Sequence, residues 1–119
     1  MNKREIGKQG EEIAADYLIK KGYEIIDANA HQRWGELDLI AKDPKTNEIV
    51  FVEVKLRKGS SYGHPEEGVG PGKLRNLITA AERWMMRQKQ EIGWRIDVVG
   101  IQVMGGQMQI DHLENVTMG

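Results

Sequence analysis

The segment Glu48–Arg57 constrains the fold of this chain more than any other stretch. It is rich in Val, Ile and Phe, which are typical of a pleated and largely buried strand. The residues before it, Asp43–Asn47, include Pro and Asn and predict a hairpin turn. The preceding segment Glu36–Lys42 is therefore predicted as an antiparallel neighbour of this strand.

The remaining segments predict helices on either side of this sheet. Apolar residues recur at helical spacing in two stretches, about Lys3–Lys21 and Lys73–Gln90. Three further strands are predicted at Tyr23–Ala28, Arg95–Met104 and Gln107–Leu113. A polar turn is predicted at Asn29–Gly35 and a long loop at Lys58–Gly72. The order α-β-β-β-α-β-β indicates an α/β fold with one mixed central β-sheet flanked by helices. The second helix then forms a right-handed crossover between two strands.

Length and composition narrow the class of protein. The chain has 119 residues, which suits a single domain spanning 1–119. It has no cysteine, which excludes disulfides and thiolate zinc sites. We find no apolar run of membrane-spanning length and no signal-like N-terminus, so we expect a cytoplasmic protein without a membrane partner. The net charge of −1 is not that of a strongly basic nucleic-acid binder, but local charge matters more than the sum.

Charged residues interrupt the two central apolar strands. Side chains alternate between the faces of a strand, so Glu53 and Lys55 share a face with Ile49 and Phe51. Asp38 lies on the neighbouring strand, and fourteen residues that include the hairpin separate it from Glu53. We therefore expect Asp38 and Glu53 to lie on the same side of the sheet, a few ångströms apart.

Two carboxylates at a partly buried site predict a bound divalent cation. Uncompensated, they repel each other, and one would keep its proton. Mg²⁺ suits an all-oxygen ligand set and leaves room for a phosphate. Lys55 cannot be a ligand, but it could orient an attacking water or stabilise charge on a phosphate oxygen. The alternative is a cross-strand salt-bridge pattern on a solvated face.

Several other residues allow two interpretations. Glu11 falls on the sheet-facing stripe of the first helix. It could be a further metal ligand, or its charge could simply be favourable near the helix N-terminus. Lys73 opens the second helix and could contact phosphates or be solvated. The loop Lys58–Gly72 could close over a substrate or simply connect two elements. Trp34 could stack on a base or pack at the core edge. Arg83 and Arg87 are expected on the exposed face of the second helix.

The chain resembles the YraN-like family of small bacterial proteins, which is similar to archaeal Holliday junction resolvases and the PD-(D/E)XK nuclease superfamily. The resemblance runs from about Gly7 to Ile101 and rests on these segments: Gly7-x-x-Gly10-Glu11-x-x-Ala14, Gly35-Glu36-Leu37-Asp38-Leu39-Ile40, Phe51-Val52-Glu53-Val54-Lys55-x-Arg57, Tyr62-Gly63-x-Pro65 and Arg95-x-Asp97-Val98-Val99. Each segment is short, and their order and spacing make the match specific.

The resemblance implies a restriction-endonuclease-like α-β-β-β-α-β core, here followed by one more strand. It implies catalytic roles for Glu11, Asp38, Glu53 and Lys55. Asp38, Glu53 and the backbone carbonyl of Val54 would bind Mg²⁺, for which Mn²⁺ could substitute. Arg33, Arg57 and Lys73 would contact the nucleic acid. Junction resolvases act as dimers, so the resemblance also implies a homodimer.

Three functions are compatible with these residues. The first is a Mg²⁺-dependent endonuclease acting on DNA, including branched or Holliday-junction-like DNA. The second is a catalytically silent nucleic-acid-binding module of a recombination or DNA-processing complex. The third is a purely structural interaction domain. The Asp38-x14-Glu53-x-Lys55 array favours the endonuclease.

Overall fold

A five-stranded mixed sheet forms the centre of the computed structural model, which describes residues 3–58, 69–89 and 91–117. In chain order the elements are α1 (Lys3–Lys20), β1 (Glu24–Asp27), α2 (His31–Trp34), β2 (Leu39–Lys42), β3 (Ile49–Lys58), α3 (Pro71–Met86), β4 (Trp94–Met104) and β5 (Gln107–Leu113). The sheet order is β1-β2-β3-β4-β5. β3 and β4 run parallel, and the other neighbouring pairs are antiparallel. The predicted fold class is confirmed.

The central hairpin has the predicted antiparallel register. Ile40 lies opposite Phe51, and Leu39 lies opposite Val52. Since opposed residues of an antiparallel pair share a face, Ile40 and Phe51 point to one side of the sheet and Leu39 and Val52 to the other. This register brings Asp38, just ahead of β2, next to the part of β3 that carries Glu53.

The two long helices cover opposite faces of the sheet. α1 buries Ala14 and Leu18 in a cluster with Leu39, Val50 and other sheet residues. The other face is covered by α3, whose buried residues pack with the side chains of the opposite parity: Leu77, Ala80, Ala81 and Trp84 against Ile40, Phe51 and Ile96. A functional site at the end of β2 and β3 therefore has α1 on one side and α3 on the other.

One predicted strand was too long, and the face of one residue was wrong. β2 begins at Leu39, not at Glu36. A strand over Glu36–Lys42 would place Leu37 and Leu39 on the same face, but Leu37 packs in the α3-side cluster and Leu39 in the α1-side cluster. Strict alternation requires a paired ladder, and this ladder covers only residues 39–42. The backbone ahead of it leaves the turn at Gly35, whose φ is 62°.

Two other boundaries differ from the prediction. The polar turn at Asn29–Gly35 contains the short helix α2, where the Trp34 N–H donates to the Ala30 carbonyl at 2.7 Å. α3 begins at Pro71 because proline suits a first helical position. It ends at Met86, short of the predicted Gln90.

Two further predictions concern the loop that connects the central strand to the second long helix and the absence of a membrane-spanning segment. The proposed substrate loop Lys58–Gly72 and its Tyr62-Gly63-x-Pro65 segment lie mostly outside the described residues. Within the described ranges, none of the helices combines the length and the apolar character needed to span a bilayer.

Candidate active site

Asp38 is held at the end of the β2–β3 ladder by a backbone hydrogen bond. The last paired residues are Leu39 and Val52, so β2 offers no strand carbonyl to the Val54 N–H. That N–H donates instead to Asp38 Oδ2 at 2.8 Å. A strand residue's N–H and C=O point toward the same side, so the Val54 carbonyl faces this edge as well. The end of the ladder thus brings one carboxylate beside the backbone of β3.

Glu53 is buried next to Asp38 and is only partly neutralised. Its exposed fraction is 4%. Glu53 Oε1 lies 3.4 Å from Lys55 Nζ and 3.8 Å from Lys73 Nζ. Glu53 Oε2 is also buried, and no described residue offers it a hydrogen bond. One oxygen of this carboxylate is therefore open to a further partner.

The pair of carboxylates is electrostatically strained. Burial raises the pKa of Glu53 to about 7, and the charge of Asp38 adds to this increase against the effects of Lys73 and Lys55. Burial also raises the pKa of Asp38, although the hydrogen bond from the Val54 N–H and the charge of Lys73 oppose the increase. Asp38 and Glu53 are thus direct neighbours, as the sequence predicted. Near neutral pH the site holds a proton or needs additional positive charge.

Glu11 approaches the pair from the α1 side. It lines a cavity of about 700 Å³ that also contains Asp38, Val54 and His31. Glu11 Oε1 lies 2.9 Å from His31 Nδ1, close enough for an ion pair but without hydrogen-bond geometry. Burial raises the pKa of Glu11, and the Asp38 charge contributes to the increase. The structure therefore brings Glu11 to Asp38, whereas Glu53 does not line this cavity.

A glycine allows α1 to come this close. A Cβ atom on Gly10 would lie 3.2 Å from Leu56 Cβ and 3.4 Å from Val54 Cγ1. Gly7, by contrast, has no heavy atom within 4 Å of such a position. The close approach of α1 to β3 therefore depends on Gly10 and not on Gly7.

Lys73 lies within the acidic cluster. Its Nζ donates to Glu36 Oε2 at 2.8 Å and lies 3.8 Å from Glu53 Oε1. Burial lowers the pKa of Lys73, but the hydrogen bond to Glu36 and the charge of Glu53 outweigh burial and raise it. The start of α3 thus supplies a cation to the carboxylate pair. The sequence pointed to phosphate or solvent as the partner of Lys73 and did not predict Glu36 as its acceptor.

The other two predicted nucleic-acid contacts lie further from the pair. Arg33 is on α2 with 72% of its side chain exposed, and its Nη2 donates to Asp27 Oδ2 at 3.1 Å. Arg57 follows Lys55 by two residues on β3, and alternation places it on the same face. Arg33 is therefore paired with an acid outside the carboxylate site.

The site fits a cation that needs few protein ligands. Among the described residues, no three acidic or histidine side chains converge to enclose a metal ion. Mg²⁺ is usually held by one or two carboxylates, with waters and substrate phosphates completing its shell. The unpartnered Glu53 Oε2 and the adjacent Asp38 match that requirement. A dedicated protein cage, as Ca²⁺ or structural Zn²⁺ would need, is not present in this part of the chain.

A second charged cluster lies on the α1 side, away from the carboxylate pair. Arg95 Nε donates to Asp97 Oδ1 at 2.9 Å, and Arg95 Nη2 lies 2.8 Å from Asp43 Oδ2. His112 Nε2 is 2.7 Å from Asp97 Oδ2. The Arg95–Asp97 pair is buried, and the alternation of β4 alone could not reveal its other partners.

The comparisons with known proteins agree with the resemblance in the sequence. The model of "Uncharacterised protein family UPF0102" matches residues 10–101. A UPF0102 protein of Syntrophomonas wolfei is 47% identical over 115 residues, covering 94% of this chain and 96% of its own. A UPF0102 protein of Caldicellulosiruptor saccharolyticus is 46% identical, covering 85% of each chain. Another from Geobacter metallireducens is 39% identical, covering 97% of this chain and 93% of its own.

The matched segment contains every residue of the carboxylate site described above. It begins at Gly10, beside Glu11, and extends past β3 and α3 to Ile101 in β4. The YraN-like resemblance predicted from the sequence is thereby confirmed, and the chain belongs to the protein family UPF0102.

Proposed function

We propose that this protein is a Mg²⁺-dependent endonuclease that hydrolyses DNA phosphodiester bonds. The observation that carries the proposal is the buried Asp38–Glu53 pair, in which Glu53 Oε2 has no hydrogen-bond partner among the described residues. Paired carboxylates of perturbed pKa beside lysines are typical of functional sites. An ion-pair network serving only stability would be expected to satisfy both oxygens of its most buried acid.

A bound Mg²⁺ would neutralise the two acids and make an attached water more acidic. Asp38 and Glu53 are the side chains that would hold it, with the Val54 carbonyl at the same edge. Asp38 Oδ2 is committed to the Val54 N–H, and this hydrogen bond orients the carboxylate toward Glu53.

The remaining residues act on the water and the phosphate. In hydrolysis the water oxygen attacks phosphorus and gives up a proton, the bond to the leaving deoxyribose oxygen breaks, and that oxygen takes up a proton. Lys55 Nζ, held 3.4 Å from Glu53 Oε1, would orient the water or stabilise the negative charge that develops on the phosphate. Glu11 would accept a hydrogen bond from the water or from the metal's outer shell.

The substrate geometry comes from the resemblance to Holliday junction resolvases, which makes branched DNA the first substrate to test. The same resemblance supports the proposal of a homodimer, because a junction offers two related strands. Light scattering of the purified chain measures its oligomeric state directly.

The experiment compares cleavage of a four-way junction, a flap, a plasmid and single-stranded DNA with Mg²⁺, Mn²⁺ or EDTA. We expect metal-dependent cleavage that falls by at least about a hundredfold in Asp38→Asn, Glu53→Gln and Lys55→Met. Asp38→Asn keeps an acceptor for the Val54 N–H, so it tests the charge while preserving the backbone contact. Glu11→Gln should lower the rate, whereas its exposed neighbour variant Glu12→Gln should not.

A second candidate is a nucleic-acid-binding module without turnover. It is favoured by Lys55 and Lys73, which already supply positive charge to Glu53 without a metal. In that case DNA binding would persist in all four site variants, and none of the substrates would be cleaved. Cleavage that survives Asp38→Asn and Glu53→Gln would exclude the endonuclease proposal at this site.

A further inference from the structure

A groove between α2 and α3 opens beside the carboxylate site. It has a volume of about 680 Å³, and its lining includes Arg33 and Trp34 from α2 and Arg83 and Arg87 from α3. Asn76 and Thr79 add polar side chains along the same side of α3. Three of the described lining residues are arginines, and Glu36 is the only acid among these described residues. The groove is therefore locally cationic in a chain whose net charge is −1.

Nearby acids cancel only part of this charge. Glu36 Oε2 accepts from Lys73 Nζ at 2.8 Å, so its charge is already paired with a lysine outside the groove lining. Asp27 pairs with Arg33 at 3.1 Å. No ion pair or hydrogen bond of the Arg83 or Arg87 side chain to an acid occurs in residues 3–58, 69–89 and 91–117. These two arginines keep their hydrogen-bond donors available.

Arg87 is positioned by an aromatic ring. Its guanidinium carbon lies 5.2 Å from the centre of the Trp34 ring, within the range of a cation–π contact. Trp34 in turn packs against the α3-side core cluster and cannot move freely. Stacking engages the face of the guanidinium and leaves its edge N–H groups free to bind phosphate oxygens in a bidentate manner. The ring therefore reduces the entropy that Arg87 would lose on binding an anion.

The groove is linked to the carboxylate pair through two side chains. Glu36 lines it and holds Lys73, which lies 3.8 Å from Glu53 Oε1. From that end, Arg83 and Arg87 follow along α3 with one helical turn between them, about 6 Å apart along the axis. A phosphodiester chain that reacts at Glu53 would meet these arginines in succession.

We propose that this groove binds the phosphate backbone of the DNA substrate next to the reacting bond, with Arg83 and Arg87 as direct phosphate contacts. The proposal rests on the proposed endonuclease function and extends it to the path of the substrate. It assigns a binding role to two arginines that the sequence alone placed on an exposed helix face. Contacts of this kind position the substrate without reading its base sequence.

Binding of labelled duplex and four-way-junction DNA by the full chain, measured in EDTA over a series of salt concentrations, tests the groove without cleavage. The double variant Arg83→Gln with Arg87→Gln should bind at least about tenfold more weakly, and its log–log salt slope should fall by about two, since each lost duplex phosphate contact contributes about 0.9. Arg83→Lys with Arg87→Lys keeps both charges and should retain most of the slope. Arg75→Gln removes an exposed α3 arginine outside the groove lining and is the matched control.

The proposed DNA-binding role of the groove would be wrong if the double glutamine variant kept wild-type affinity and salt slope. It would also be wrong if Arg75→Gln lost as much DNA affinity as the double variant. All variants need wild-type circular dichroism spectra, which substitution of exposed residues should preserve. The cleavage assay is scored separately. If no variant or wild-type sample cleaves DNA but the slope changes as expected, the groove stands and the endonuclease proposal fails.

Discussion

Glu53 shows how a single buried side chain creates the chemistry of this site. It follows apolar residues on a central strand, so the fold buries it although a carboxylate prefers water. The neighbouring Asp38 makes its ionisation still less favourable, and two lysines compensate only in part. While Glu53 is ionised and receives no further positive charge, it reduces the stability of the protein.

This cost gives a prediction for Glu53→Gln. The folded-state pKa of about 7 lies above the ordinary value of 4.5, so the folded protein binds this proton more tightly than the unfolded chain. Stability from this group is present below about pH 4.5 and is lost as the pH rises through about 7. Glutamine resembles the protonated form at every pH. We expect urea unfolding at pH 8 in EDTA to give Glu53→Gln a free energy of unfolding roughly 2–3 kcal/mol higher than wild type.

The same measurement at pH 5 should show most of this difference gone. Glu12→Gln, at an exposed position of α1, should unfold like wild type at both pH values. A Glu53→Gln protein that is less stable than wild type at pH 8 would mean that Lys55 and Lys73 fully compensate the ionised carboxylate.

At the scale of single elements, α1 contributes through its close contact with β3. Its buried stripe, with Ala14 and Leu18 fully covered, follows helical spacing and was predictable. The distance between α1 and β3 depends on the size of the side chains that both elements place at their contact. At Gly10 the helix backbone packs closely against Leu56 and Val54. This close packing places the neighbouring Glu11 at the cavity that Asp38 also lines.

Enlarging Gly10 should therefore move α1 away from β3. We expect Gly10→Leu to lower the free energy of unfolding by about 1–3 kcal/mol through overpacking. Any DNA cleavage should fall at the same time, because Glu11 moves with the helix. Gly7→Leu adds the same side chain one turn earlier, into open space, and should be neutral or slightly stabilising for unfolding. Equal stability of the two variants in urea would contradict this account of the contact.

At the scale of the whole molecule, a buried charge network joins distant parts of the chain. Arg95 on β4 reaches Asp43 and Glu48 at the β2–β3 turn, Tyr23 before β1, and Asp97 on its own strand. Asp97 also accepts from the Asn115 N–H at 2.9 Å and contacts His112 of β5. Breaking such a network leaves an uncompensated buried charge.

Asp97→Asn should accordingly destabilise the fold by about 3–5 kcal/mol at pH 7. Burial raises the pKa of Asp97, but contacts with His112 and Arg95 outweigh it and lower the pKa below 3.8. The stabilisation is therefore present above about pH 3.8 and is lost as the pH falls through the lower folded-state pKa. Urea unfolding at pH 7 and near pH 3 should show the gap between wild type and variant shrinking in acid.

The matched control is Asp111→Asn on β5, whose carboxylate has only a long, exposed contact with Gln109 at 3.5 Å. Its unfolding free energy should stay near that of wild type. A similar loss in both variants would show that charge removal from this region, and not the Arg95 network, determines the effect.

The sequence by itself determined the two long helices, the five strands and the pairing of the two acids. Apolar periodicity predicts both long helices and all five strands, because burial of one face produces a regular spacing of apolar residues. This spacing is visible in the sequence without knowing which element packs against that face. The hairpin turn makes β2 and β3 neighbours, and alternation then brings Asp38 beside Glu53. These inferences concern residues close in the chain or related by a short turn.

Only the tertiary structure decided which groups surround those acids. Leu37 changed faces because the β2 ladder is shorter than the apolar pattern that predicts it. Lys73, the α2–α3 groove and the partners of Arg95 come from elements far apart in the chain, and no local periodicity records their distances. Helix packing determines these distances, because close-packed side chains permit only a few relative positions of the elements.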